Sequence, residues 1–187
     1  MANYVYVNYV IEGPEKDLNK IYNTIKEYGL TSDSDFWEVG LLDSLNIEWE
    51  KEKYYIRGFI LKNTAELNNG VLSFDAEEEW GLSEFNIILK RRFPDLTVYY
   101  CLEGEQEAIF ATNDKEGKYF PERFRVDCCV NGNTEGDYFD SEKIMYHWLA
   151  NRTQGRVRTH DDVERFNKQA AEDSLEDYIS IRECSVE

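Results

Sequence analysis

A run of Tyr and Val over residues 2–12 ends abruptly at Gly13-Pro14, and an amphipathic repeat follows at once. Such a run, closed by turn residues, reads as a β-strand. Pro14 suits the first position of a helix, where a missing N–H costs nothing. Leu18, Ile21, Tyr22, Ile25 and Tyr28 then recur at i, i+3, i+4 and i+7 spacing, and Gly29 stands at the C-terminal cap position. The chain therefore opens as a βα unit.

The rest of the chain extends this unit. Residues 31–47 read as a loop with one short helix, capped by Asp33, Ser34 or Asp35. Residues 53–62 read as a strand, and Asn68-Asn69-Gly70 supplies turn chemistry before a return strand at Val71. Leu82 to Phe93 is a second amphipathic helix, stopped by Pro94. Trp80, beside Gly81 where strand meets helix, is expected to be buried. Strands follow at 96–102, near 106–112 and over 118–130, the last interrupted by Pro121. After Asn131-Gly132-Asn133 come helices at about 141–150, burying Ile144, Met145, Trp148 and Leu149, and from about Asp161, capped by Thr159. A strand from Tyr178 to Cys184 closes the chain.

The first six elements run β-α-β-β-α-β. The expected fold class is α+β: a ferredoxin-like split β-α-β antiparallel sheet with two helices on one face. Further strands and a C-terminal helical segment extend it. The expected organisation is a domain at 1–130 with an appended hairpin, and a helical extension at 131–187 packed on the same domain.

Particular residues carry a family resemblance. Met1-Ala2-Asn3 opens a strand ending in Val10-Ile11-Glu12-Gly13-Pro14. Leu72-Ser73-Phe74 leads to Glu79-Trp80, and a helix ends in Phe93-Pro94-Asp95-Leu96. Thr97-Val98-Tyr99-Tyr100 then runs into Glu103. Over roughly residues 1–130 this resembles a family of small ferredoxin-like-domain proteins of unknown function borne by bacterial plasmids, phages and integrative elements. Tyr4-Val5 stands where that family has Trp-Cys, and Gly81-Leu82 where it has prolines. The resemblance implies a fold and a genetic setting, with no catalytic residue to carry over.

Charge narrows the function classes. The 187 residues hold 38 Asp plus Glu against 21 Lys plus Arg, a net charge of -17. Every window of about thirty residues is net negative, so no basic stripe is available to release counterions from nucleic acid. Nucleic-acid binding is not expected. No apolar run reaches the ~18 residues of a membrane helix. The N-terminus has no basic region or signal core. A cytoplasmic protein with reduced Cys101, Cys128, Cys129 and Cys184 is the expectation.

Catalytic signatures are sparse. His147 and His160 are the two histidines, and their spacing from the cysteines fits no zinc pattern. The chain contains no Gly-x-Ser-x-Gly and no phosphate-cradling glycine motif. No cofactor is expected. Carboxylates are the abundant resource. Glu77, Glu78 and Glu79 precede Trp80 at a strand end, and Glu103, Glu105 and Glu107 span the next turn. On an extended hairpin the last three share one face. Like charges so placed repel, which favours a solvated tip. These six form the candidate acidic interaction surface. The function expected is a non-enzymatic binding module with a protein partner. The alternatives are a carboxylate- or divalent-metal-dependent enzyme and an acidic inhibitor imitating DNA.

Overall fold

The N-terminal Tyr/Val run forms a strand in the computed structural model, which describes residues 3–31, 36–49, 54–104, 108–173 and 175–187. The fold is mixed α+β. Two units divide between Asp114 and Lys115. In chain order the first holds β1 (Tyr4–Glu12), α1 (Glu15–Thr31), β2 (Phe36–Trp37), α2 (Glu38–Ser44), β3 (Gly58–Ile60), β4 (Glu66–Asn68), β5 (Val71–Glu79), α3 (Phe85–Arg92), β6 (Thr97–Gly104) and β7 (Ile109–Thr112). The second holds β8 (Phe124–Val130), β9 (Asn133–Phe139), α4 (Glu142–Arg152), α5 (His160–Glu172), β10 (Tyr178–Glu183) and β11 (Ser185–Val186).

Within the first unit the strands run β7-β6-β1-β5-β3-β2, with β4 also paired to β5. These pairings are antiparallel. Strand side chains alternate between faces, so each strand contributes every second residue to the core. Val5, Val7, Tyr9 and Ile11 of β1 point inward, with Leu72, Phe74 and Ala76 of β5 and Val98, Tyr100 and Leu102 of β6. Leu18, Ile21 and Ile25 of α1 and Phe85, Ile88 and Leu89 of α3 join the same cluster, so both helices cover one face. Tyr9 stacks at 5.2 Å from Phe74 and 5.8 Å from Phe85, centroid to centroid. Each such aromatic pair adds about 0.5–1.5 kcal/mol beyond its buried area.

Local chemistry explains the boundaries. Asn68 pairs with Val71 across Asn69-Gly70, whose φ values are 52° and 76°. Positive φ at both central residues makes a type I′ hairpin, which Asn-Gly supports at little cost. The short helix expected within 31–47 is α2; the caps Asp33, Ser34 and Asp35 lie outside the described residues. α3 ends in Lys90, Arg91 and Arg92, cations that complement the negative end of its dipole.

Several expectations change. α1 runs past Gly29 to Thr31. The strand expected over 53–62 is reduced to Gly58–Ile60, with Lys53 outside the described residues. Trp80 is not buried: it is 56% exposed, at φ 65°. Its N–H still bonds the Asn3 carbonyl, one step beyond the Tyr4–Glu79 pair, and the positive φ values of Trp80 and Gly81 then turn the chain off the sheet.

The second unit has its own core. Its sheet runs β10-β8-β9, antiparallel throughout. Val126, Cys128 and Val130 pack with Met145 and Leu149 of α4, Val163 and Phe166 of α5, and Ile179 of β10. The boundary expected at 130/131 therefore sits earlier. β8 has its ladder partners at 133–139 and 178–183, so it belongs with the C-terminal residues. β9 is a strand that periodicity does not announce: Asn133 to Tyr138 are all exposed, and only Phe139 is buried. Ile144 is likewise exposed and Trp148 half-buried, contrary to expectation, while Met145 and Leu149 are buried.

Candidate interaction surface and a buried carboxyl pair

The outward face of the first unit's sheet is built by the other half of the alternation. One row crosses it from strand to strand. Trp37 pairs with Phe59, Phe59 with Glu77, Glu77 with Tyr6, Tyr6 with Glu103, and Glu103 with Phe110. Directly opposed residues share a face, so rings and carboxylates alternate along this row from Phe59 to Phe110. Phe110 at its β7 end is buried, whereas Trp37, Tyr6 and Glu77 are exposed. The Trp37 and Phe59 rings lie 3.9 Å apart, centroid to centroid, and Tyr4 adds a third ring 6.0 Å from Phe59. β1, β5 and β6 contain no Lys or Arg.

The adjacent outward row holds a cation. Arg57 Nη1 lies 2.9 Å from Glu79 Oε2, and the Tyr4 hydroxyl donates to Glu79 Oε1 at 3.1 Å. Next to Tyr6 on the other side, Asn8 Nδ2 donates to Asp75 Oδ1 at 2.6 Å. The Tyr6 hydroxyl also bonds Asp75; burial and this bond hold its pKa above the ordinary tyrosine value.

The six carboxylates named from the sequence thus separate. Glu77 is exposed on the outward face. Glu79 is on the same face but buried and engaged by Arg57 and Tyr4. Glu103 is half-buried, opposite Tyr6. Glu78 is not part of a surface: it points inward and is fully buried, because β5 alternates and Phe74 and Ala76 already face the core. Glu105 and Glu107 lie outside the described residues. Sequence reasoning passed over Tyr6, Phe59 and Trp37. For Tyr6 the signal was the Tyr–Val alternation itself; for Trp37 and Phe59 it was absent, since β2 and β3 are too short to show a period.

Glu78 has a partner that the sequence does not advertise. Glu38, the first residue of α2, is also fully buried. Glu78 Oε1 accepts from the Tyr9 hydroxyl at 2.5 Å, and Oε2 from the Ser83 N–H. Ser83 Oγ donates to Glu38 Oε2 at 2.9 Å. Gly58 lies directly opposite Glu78, and a Cβ there would come within 2.6 Å of Glu38 Oε2 and 2.9 Å of Glu78 Cγ. Glycine is what lets the two side chains meet. Burial, followed by the charge of Glu78, holds Glu38 well above the usual carboxylate range. Two carboxyl groups in contact and out of water favour a proton on Glu38, which can then donate to Glu78. Burial raises Glu78 too, against the bonds it accepts from Glu38, Ser83 and Tyr9. The pair is sealed from solvent, so it tunes stability and offers no place for a substrate.

The remaining chemistry-bearing residues do not converge. His147 is exposed on α4, and exposed His160 lies 3.7 Å from Glu164. Cys128 is buried, and burial pushes its thiol up, away from the reactive thiolate. None of the four cysteines is in a disulfide. An open depression of about 1090 Å³ follows α4, lined by Lys143, Ile144, His147, Asn151 and Arg158 among others. Among the described residues no three His, Cys, Asp or Glu side chains are grouped to hold a metal ion. Among the described residues no helix is long and apolar enough to cross a membrane. In comparisons with known proteins, the chain matches no family model, no curated protein and no solved structure.

Proposed function

We propose that the chain is a non-enzymatic interaction module. Its docking face is the outward face of the first unit's sheet, and its partner is a basic protein. One observation carries this reading: Trp37, Glu77 and Tyr6 are exposed along a single cross-sheet row of rings and carboxylates, on strands free of Lys and Arg. Large rings provide contact area at low entropic cost, and negative potential steers a cationic surface toward them.

The finer fold assignment is part of the proposal. The first unit is read as a ferredoxin-like split βαβ. In support, β6-β1-β5-β3 is the order that arrangement requires, with α1 and α3 as the crossover helices. The resemblance to proteins of bacterial mobile elements rests on the residues quoted above. A cytoplasmic setting is supported by four cysteines held as thiols.

Titration of the isotope-labelled chain with hexa-lysine tests the docking reading. Shifts should concentrate at Trp37, Tyr4, Tyr6 and Glu77 and fade as salt approaches about 0.15 M, where charges are screened beyond about 8 Å. Shifts centred elsewhere, or none at low salt, would overturn it.

A further inference from the structure

We infer that the surface around Glu77 is a guanidinium subsite, which takes an arginine side chain of the partner between Tyr6 and the Phe59–Trp37 rings. This rests on the docking reading above and specifies its occupant.

The molecule already holds one guanidinium on the neighbouring carboxylate of the same strand face. Arg57 is ion-paired to Glu79 at 2.9 Å, hydrogen-bonded to the Tyr55 side chain, and next to Tyr4. The parts are a strand carboxylate flanked by aromatic side chains. Two residues along β5 the same parts recur: Glu77 stands between Phe59 on β3 and Tyr6 on β1. Same-face neighbours on a strand are roughly 7 Å apart, so the two positions lie side by side. Arg57 supplies its own row, whereas β1, β3, β5 and β6 bring no cation to the row of Glu77.

The chemistry favours arginine over lysine. A guanidinium is planar, weakly hydrated and able to grip a carboxylate with two N–H groups while its face lies on a ring. Tyr6 spends its hydroxyl on Asp75, so it offers the incoming group its ring. The tilted Trp37–Phe59 pair supplies the apolar floor on the other side.

The test compares capped hexa-arginine with hexa-lysine on the full chain at low salt. Hexa-arginine should bind about threefold or more tightly, the scale of an exposed cation–π contact. Glu77→Gln should weaken hexa-arginine binding roughly tenfold, the loss of one charge-assisted hydrogen bond. Tyr6→Leu should weaken it about threefold. Glu164→Gln, on exposed α5, should leave it unchanged. Thermal melts of each variant confirm that the fold is intact. Equal binding of both peptides, with Glu77→Gln inert, would overturn the subsite while the docking reading stands. Failure of both peptides to bind would overturn both.

Discussion

Glu77, Glu78 and Glu79 are consecutive, yet they occupy an exposed row, the core and an ion pair respectively. Alternation along β5 separates 78 from its neighbours, and this was legible: Leu72 and Phe74 already mark the inward parity. The identity of the inward partner was not legible, because Glu38 lies forty residues away in a segment without clear periodicity. Its consequence is a pH dependence. Unfolded, Glu38 ionises in the ordinary carboxyl range; folded, it holds its proton to higher pH. Its stabilising contribution is therefore complete below the unfolded pKa and is lost as pH rises through the folded one. Thermal stability should fall as pH rises above the ordinary carboxyl range. Glu38→Gln keeps a donor toward Glu78 without a titrating proton, so it should flatten that fall. At the top of the pH range its melting temperature should therefore exceed the parent's. A variant whose melting temperature tracks the parent at every pH would show that the pair does not titrate.

Whole elements follow the same division. β1 and α1 carry strong periods, and both form as their sequences indicate. β9 does not: Asn-Thr-Glu-Gly-Asp-Tyr-Phe has no apolar alternation, because an edge strand with exposed side chains is held by its ladder to β8 and by the Asn131-Gly132 turn. That turn is clamped by Asp177, whose carboxylate accepts from the N–H groups of Asn131 and Gly132 at 3.0 and 3.3 Å. The start of α5 was legible from one residue. Thr159 accepts from the Asp162 N–H at 3.3 Å, and Asp161 and Asp162 favour the positive end of the helix. Thr159→Ala should cost about 1 kcal/mol in chemical denaturation. A loss under about 0.3 kcal/mol would mean that Asp162, which also accepts from the Arg158 N–H, holds the helix start alone.

At the scale of the molecule, charge gives the plainest expectation. With a net charge of -17, the protein should show no anisotropy change with duplex DNA at about 0.15 M salt. Micromolar binding that collapses with added salt would reveal a gathered basic face. The described arginines are instead largely spoken for: Arg152 meets Glu135 at 2.6 Å, Arg165 pairs with Asp162, and Arg125 and Arg182 converge on Asp127. Sequence alone determined the α+β class, the leading βα unit, the hairpin turns and the overall acidity, because each follows from nearest-neighbour sterics, local period or a sum over residues. Only the tertiary structure decided that β8 joins the C-terminal residues and that Trp80 faces outward. It alone brought Glu38 to Glu78 across Gly58, and set Trp37, Phe59, Glu77 and Tyr6 in one row. Those features depend on strand register and on which segments meet across the sheet, and residues far apart in the chain carry no local signal of either.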